Sequence, residues 1–341
     1  MSSSPTTPPA DTDLGELIHR ADLDGLVRLI DAHCSTAQWA ALLELRDRTR
    51  SAVTTGRQLW PAATLAEYRL ALWAPAQWAA RVLEEDSGRF TIGPLTEVIA
   101  QRHTFAELAE YLPPGPRLGF VANERAIRGE SIEKITLERL GAPDVLEIPL
   151  TLQSWEPQYR LAVYTDEGVT AHPPTAPPAA AFRQARIRRD HGTVDDQAVY
   201  RATRQMLEGW TASSDGKAEI TCVEGDAAAA VRALGVRHAR LAPLEAREAL
   251  AWLGWAGASG GAHGRRRGAA IGRFSAWWLV AAMADALDDW PLPPDEIGEI
   301  AEELVWWWWD GGEPSLGWEL QIAVEDPAEG YSRAISAHDA A

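Results

Sequence analysis

Apolar residues in the first 140 positions recur at the spacing of amphipathic helices. Leu14, Leu17 and Ile18 begin one such stripe, and similar stripes follow at short intervals. Each helix of this kind buries one face, and short loops make consecutive helices antiparallel neighbours. The pattern predicts an all-helical domain over residues 13–142, built as a bundle or as a short array of helix pairs. Residues 1–12 are rich in Ser, Pro and Thr and are predicted to form a disordered tail.

The pattern becomes mixed after residue 142, and it predicts an α+β domain over residues 143–341. Stretches at 145–152 and 159–164 predict strands of a small meander, and the prolines near 173–178 predict a loop or linker. Later strands alternate with helices, which are expected on one side of a small sheet. The clearest strand signal is an alternation of apolar and polar positions, with one face formed by Trp318, Leu320, Ile322 and Val324. The predicted fold class is α+β and predominantly helical.

The charge of the chain excludes some partners. Its formal net charge is −17, and of its 32 basic residues only Lys134 and Lys217 are lysines. Such an acidic protein repels phosphate backbones and anionic membrane surfaces. General nucleic-acid binding and membrane association are therefore not expected. The hydrophobic content of 46% is enough for a folded core, so global disorder is excluded as well.

The cysteine count and the hydropathy pattern indicate a cytoplasmic protein. The two cysteines, Cys34 and Cys222, cannot form a disulfide framework in a chain of 341 residues, and they suit a reducing compartment. The N-terminus has neither the basic nor the apolar region of a secretory leader. The longest apolar run, at residues 274–284, is too short to span a bilayer.

A glycine- and arginine-rich segment, residues 257–273, is the main candidate for chemistry. The stretch 249–284 contains four arginines and no acid, whereas residues 292–341 contain 12 acids and one arginine. Glycine-rich backbone, a following helix N-terminus and arginine side chains together can bind an anion. The predicted anion-binding or ligand-binding residues are Arg265, Arg266, Arg267, Arg273, Ser259 and His263.

Several alternatives compete with this anion site. The arginines could pair with the acidic C-terminal segment, and glycines at every fourth position from Gly260 to Gly272 could permit close packing of another element. Residues 257–261 also match Gly-x-Ser-x-Gly, but the helical sequence before Ser259 disfavours the strand that a hydrolase requires there. A second basic strip, residues 183–191, is followed by acids and is expected to be a compensated surface. The scattered histidines predict no metal site, and no cofactor is expected.

Sixteen tryptophans form the other unusual feature of the chain. The run at 306–309 is predicted to end a helix, because Asp310 and two glycines follow it. Four consecutive helical residues point in four directions, so at least one indole should lie near solvent. Candidate interface or pocket aromatics are Trp277, Trp278, Trp306 and Trp309. The favoured alternative is that these side chains seal the core.

Three segments carry a resemblance to a known family: residues 57–63 with 66–71, residues 265–278 and residues 317–330. They resemble an uncharacterised family of bacterial proteins from high-GC genomes, and the similarity runs along most of the chain. The resemblance implies no activity and supplies no catalytic residues. The sequence thus leaves three hypotheses: a non-catalytic binding or regulatory protein with a protein partner, an enzyme or sensor for a phosphorylated small molecule at residues 257–273, and a structural homo-oligomer.

Overall fold

The computed structural model describes residues 13–84, 86–185, 192–312 and 317–340. The chain divides into two compact units. Unit 1 contains the residues up to Val121 together with Tyr164–Val169, and unit 2 contains Ala122–Val163 and Thr170–Ala341. The sequence predicts a boundary between two domains at residues 142 and 143, and this boundary stays a prediction.

Unit 1 is helical, and polar side chains cap several of its helices. Asp13 and Asp22 accept hydrogen bonds from backbone N–H groups of the first two helices, and Thr104 forms a capping box with Glu107. The helices are α1 (Leu14–Arg20), α2 (Leu23–Ser35), α3 (Trp39–Thr54), α4 (Trp60–Trp73), α5 (Ala76–Ala79), α6 (Leu95–Ala100), α7 (Phe105–Ala109) and α8 (Pro116–Ala126), the last of which continues into unit 2.

Residues 164–169 return to unit 1 and complete it. The Tyr164 hydroxyl donates to the carboxylate of Glu97, which is fully buried. The Tyr68 hydroxyl donates to the Thr165 carbonyl at 2.6 Å. Gly93 packs closely against the Tyr164 side chain, since a Cβ added to Gly93 would be 2.1 Å from the Tyr164 hydroxyl oxygen. This short segment therefore supplies hydrogen-bond partners for two side chains of the preceding helices, those of Glu97 and Tyr68.

Among the described residues, unit 2 combines seven further α-helices with strands, which confirms the predicted α+β fold with N-terminal helices. The helices are α9 (Lys134–Arg139), α10 (Gln197–Met206), α11 (Glu208–Thr211), α12 (Ala227–Ala233), α13 (Ala246–Ala258), α14 (Ala269–Met283) and α15 (Pro294–Glu303). The strands are β3 (Arg183–Gln184), β4 (Lys217–Glu224), β5 (Arg240–Leu244), β6 (Val305–Asp310), β7 (Gly317–Asp326) and β8 (Tyr331–Ala340). The two-stranded hairpin of β1 (Val163–Tyr164) and β2 (Val169–Thr170) precedes them in the chain, and its residues Tyr164 and Val169 belong to unit 1.

The main sheet has the strand order β3-β5-β6-β7-β8-β4, and every neighbouring pair is antiparallel. Helix α12 packs on one face of this sheet, where Val223 and Trp309 belong to its apolar cluster. Helix α13 packs on the other face, where the Trp252 and Trp308 rings are 4.3 Å apart. The expectation of helices on one side is therefore wrong, because both faces of the strands carry apolar side chains.

Two further predictions about local structure are wrong. The run 306–309 lies in strand β6, and helix α15 ends before it at Glu303. A strand accommodates this run because alternate indoles point to opposite faces, and both faces are covered. Residues 145–152 form no strand, and of 159–164 only the last two residues do. The alternation near the C-terminus is confirmed by β7, in which Leu320, Ile322 and Val324 are fully buried.

Five tryptophans account for much of the core between helices and sheet in unit 2. Trp255 stacks on Trp318 with ring centroids 5.0 Å apart and an interplanar angle of 12°. Trp210 and Trp252 meet Trp255 edge-on, and Trp252 also contacts Trp308. Aromatic pairs of this geometry stabilise a core beyond the apolar area that they bury.

In the part of the chain that the structure describes, no helix combines the length and the apolar character needed to cross a membrane.

Candidate functional site

The glycine- and arginine-rich segment joins two packed helices. Its first residues end α13, residues 259–268 form a connector, and Ala269 begins α14. Gly272 allows the close approach of these helices, since an added Cβ would be 2.1 Å from the Gly254 carbonyl oxygen. The packing explanation therefore applies to Gly272, whereas Gly260 and Gly264 lie in the connector outside any helix.

Arg273 is engaged inside the protein. It lies in α14, is 1% exposed, and forms a two-point ion pair with Glu156, with both N–O distances 2.7 Å. Its remaining N–H groups donate to the carbonyls of Pro149 and Thr151 at 2.6 and 3.1 Å. The guanidinium thus fixes the irregular segment 149–156 against α14.

Glu156 is the centre of this buried network. Its carboxylate also accepts hydrogen bonds from the Trp277 indole at 2.8 Å, the Tyr159 hydroxyl at 3.0 Å and the Gln153 N–H at 2.9 Å. Burial and the neighbouring Glu156 charge raise the pKa of Tyr159 well above its ordinary value. All of these partners are protein groups, so the network binds chain segments together.

The remaining predicted anion ligands differ in environment. Arg267 is half-buried and donates to the carbonyls of Gln205 and Met206 at 2.6 and 3.2 Å, and burial lowers its pKa. Arg266 is buried and Arg265 is exposed. Arg267 and Arg273 thus contact different segments of unit 2, and no common binding point unites them.

Ser259 and His263 hold the connector in place. Ser259 follows α13, is 1% exposed, and accepts the Gly261 N–H at 3.0 Å. The backbone N–H of the exposed His263 donates to Ser214 at 3.1 Å. Asp339, from the acidic C-terminal segment, accepts the N–H of the residue between Gly261 and His263 at 2.6 Å. A nucleophile elbow requires a strand before the serine, and here a helix precedes it.

The predicted interface aromatics occupy two kinds of site. Trp277, Trp306 and Trp309 are at most 3% exposed and belong to the core. Trp278 is half-buried and forms a cluster with Phe274 and Trp290, in which ring centroids are 5.1 to 5.9 Å apart. Of the four, Trp278 alone retains appreciable access to solvent.

A large cleft lies elsewhere in unit 2, and we call it the acidic cleft. Its volume is about 1020 Å³. It lies where the start of α10, the end of α14, the end of α15 and the β7–β8 turn meet, and its lining residues fall within 194–201, 282–285, 300–304 and 326–333. This volume lies just above the range of about 300–1,000 Å³ that is usual for small-molecule sites.

Arg333 fixes the elements around the acidic cleft. It is 4% exposed, and its Nε donates to Asp196, the N-cap of α10, at 2.9 Å. Its Nη2 donates to the Met283 carbonyl at the end of α14 at 3.2 Å, and its Nη1 lies 3.6 Å from Asp326. One side chain therefore connects a strand, two helix ends and a turn.

The mouth of the acidic cleft carries unneutralised negative charge. Six acids and two arginines line the cleft. Four of the acids are exposed and form no ion pair among the described residues: Asp195, Asp285, Glu303 and Glu329. The described residues contain no cluster of three or more His, Cys, Asp or Glu residues suited to a metal ion.

The sequence did not indicate this cleft, because its residues come from four distant segments and share no motif. The acidic C-terminal region was the only available signal. Most of the predicted basic strip, residues 186–191, lies outside the described residues.

Comparisons with known proteins identify a family and no activity. No curated protein and no solved structure matches the chain. A family model does match residues 24–341. The chain belongs to a family of unknown function, DUF6183.

Proposed function

We propose that this is a non-catalytic binding protein that holds a small organic cation in the acidic cleft of unit 2. The observation that carries the proposal is a cleft of about 1020 Å³ whose four exposed carboxylates have no ion-pair partner among the described residues. A ligand with two or more amino groups would neutralise part of this negative charge.

The arrangement of charges favours a cation over an anion. Asp196 and Asp326 both contact Arg333, so these three inner charges retain one net negative charge. The four exposed carboxylates of Asp195, Asp285, Glu303 and Glu329 remain, and of the lining arginines only Arg201 is exposed. A concave surface with one dominant charge concentrates ligands of the opposite charge.

The predicted anion site at residues 257–273 receives less support. The guanidinium groups of Arg267 and Arg273 already contact carbonyl and carboxylate oxygens of the protein. Anion binding by Arg265 or Arg266 stays a prediction. The proposal also includes a cytoplasmic location, a bacterial origin and the lack of nucleic-acid binding. These three points rest on composition alone.

Thermal-shift measurements test the proposal directly. Spermidine, putrescine and arginine serve as cationic probes, and inorganic phosphate and ATP serve as anionic ones. A ligand at one hundred times its Kd stabilises the folded state by about 2.7 kcal/mol. We expect at least one cationic probe to raise the Tm, and we expect the double variant Asp285→Asn with Glu303→Gln to lose this shift.

The neighbouring residue offers a matched control. Glu302 is exposed on α15 but does not line the cleft. Glu302→Gln removes one carboxylate charge from the same helix outside the cleft, and it should keep the shift. The proposal fails if no cationic probe stabilises the protein, or if both variants behave alike. A shift with phosphate alone would favour the segment 257–273 instead.

A further inference from the structure

Strand β4 is an edge of the main sheet, and part of that edge is open. On one side β4 pairs with β8 along its whole length. On the other side, residues 192–194 cover its end: the Val194 N–H donates to the Cys222 carbonyl at 2.9 Å, and the Glu224 N–H donates to the Gly192 carbonyl at 3.1 Å. Within the described residues, no backbone partner lies on this side of residues 217–221.

The alternation of a strand shows which backbone groups the open edge offers. The backbone N–H and C=O groups of successive residues point alternately towards the two edges of a strand. Because those of Cys222 and Glu224 point away from β8, those of Ala218 and Ile220 do so as well. Lys217 and Glu219 are exposed, and their side chains share one face of the sheet. The open edge therefore combines free donors and acceptors with one positive and one negative side chain.

The opposite edge of the sheet is protected. The two residues of β3 cover the start of β5, and Pro243 lies in the remainder of β5. Proline supplies no N–H and is a common protection of sheet edges. Strand β4 contains no proline. The two edges thus differ in their capacity to accept another strand.

Charge selects one pairing of β4 with a second β4. An antiparallel pair centred on Glu219 would place this residue opposite Glu219 of the second copy, and opposed like charges destabilise a pair. A pair centred on Ala218 places Lys217 opposite Glu219 of the second copy, and symmetry repeats the contact. The Ala218 N–H of each copy then donates to the Ala218 carbonyl of the other.

We propose that β4 is a dimerisation edge whose partner is a second copy of this chain, paired antiparallel about Ala218. Such an interface is self-complementary, as a two-fold dimer requires. It joins the two six-stranded sheets edge to edge. This inference does not depend on the acidic cleft or on its ligand.

Sedimentation velocity over a concentration series tests the inference with charge exchanges. Lys217→Glu alone opposes two carboxylates in each symmetric contact and should raise the dimer Kd at least tenfold, which corresponds to about 1.4 kcal/mol. Glu219→Lys alone should do the same with two ammonium groups. The double exchange should restore dimerisation, because opposite charges face each other again. All three variants change only exposed side chains, so the monomer fold is retained.

Ala218→Pro tests the backbone pairing separately. The N–H that it removes points away from β8, so no hydrogen bond within the sheet is lost. We expect a monomer with an unchanged circular dichroism spectrum. A wild-type protein that stays monomeric up to high micromolar concentration would overturn the inference. A dimer that ignores the charge exchanges would overturn the register centred on Ala218.

Discussion

Removal of the guanidinium at Arg273 should destabilise unit 2 severely. Arg273→Met retains most of the apolar stem but leaves Glu156, whose side chain is 0% exposed, without its ion-pair partner. It also removes the donors to the carbonyls of Pro149 and Thr151. Breaking a buried pair from one side costs about 3–5 kcal/mol. That is a large part of the 5–15 kcal/mol by which proteins are typically stable.

A double-mutant cycle separates the pair from its surroundings. Glu156→Gln keeps an acceptor for Trp277 but removes the charge that balances Arg273. The double variant Arg273→Met with Glu156→Gln contains neither charge, so it should lose less stability than the sum of the single variants. We expect a coupling free energy of about 2 kcal/mol. Urea unfolding followed by tryptophan fluorescence and far-UV circular dichroism measures each free energy of unfolding.

An exposed arginine provides the control for this cycle. Arg247 lies on α13, and its ion pair with Glu245 has an N–O distance of 3.9 Å and is largely exposed. Surface pairs of this kind contribute about 0–1 kcal/mol. Arg247→Met should therefore change the free energy of unfolding little. If Arg273→Met costs no more than Arg247→Met, the buried network does not have the structural role described above.

Two further predictions concern packing and thiol chemistry. Gly272→Ala should lower the free energy of unfolding in urea by about 1–3 kcal/mol, because the new methyl would overlap the Gly254 carbonyl. As a control, the methyl of Gly192→Ala meets nothing closer than 3.8 Å, so this variant should be neutral. Equal effects of the two variants would contradict the close approach of the helices at Gly272. Burial raises the pKa of Cys34 to about 11, so a smaller fraction of its thiol is ionised at pH 8. A thiolate of higher pKa is more nucleophilic, which offsets part of this loss. Iodoacetamide should therefore alkylate Cys34 about tenfold more slowly than a free thiol. The rate should keep rising towards pH 11, and Cys34→Ser identifies its contribution; a plateau near pH 9 would refute the shift.

Much of the fold could be predicted from local sequence signals. Asp13 stands immediately before the first apolar stripe and caps the helix that this stripe predicts. The alternation from Trp318 to Val324 predicts β7 because its period matches that of a strand. Such features depend on residues close together in the chain, so the sequence displays them directly.

The wrong predictions of secondary structure occur where hydrophobic and polar residues do not alternate with a regular period. The run 306–309 has the same side chain at every position, so neither a helical nor a strand repeat can be read from it. Its strand conformation follows from pairing with β5 and β7. The Glu156 network was missed for a related reason, since Arg273 lies 117 residues away in the chain. Contacts at that separation leave no signal in one sequence.

The return of residues 164–169 to unit 1 has a consequence for synthesis on the ribosome. The chain emerges from its N-terminus, so the helices of unit 1 are complete long before Tyr164 is made. Until then, Glu97 lacks the hydroxyl that it accepts in the finished protein, and Tyr68 lacks the Thr165 carbonyl. Unit 1 must therefore wait for about forty more residues, some of which belong to unit 2. A truncation between residues 121 and 164 would leave its helices without these bonds.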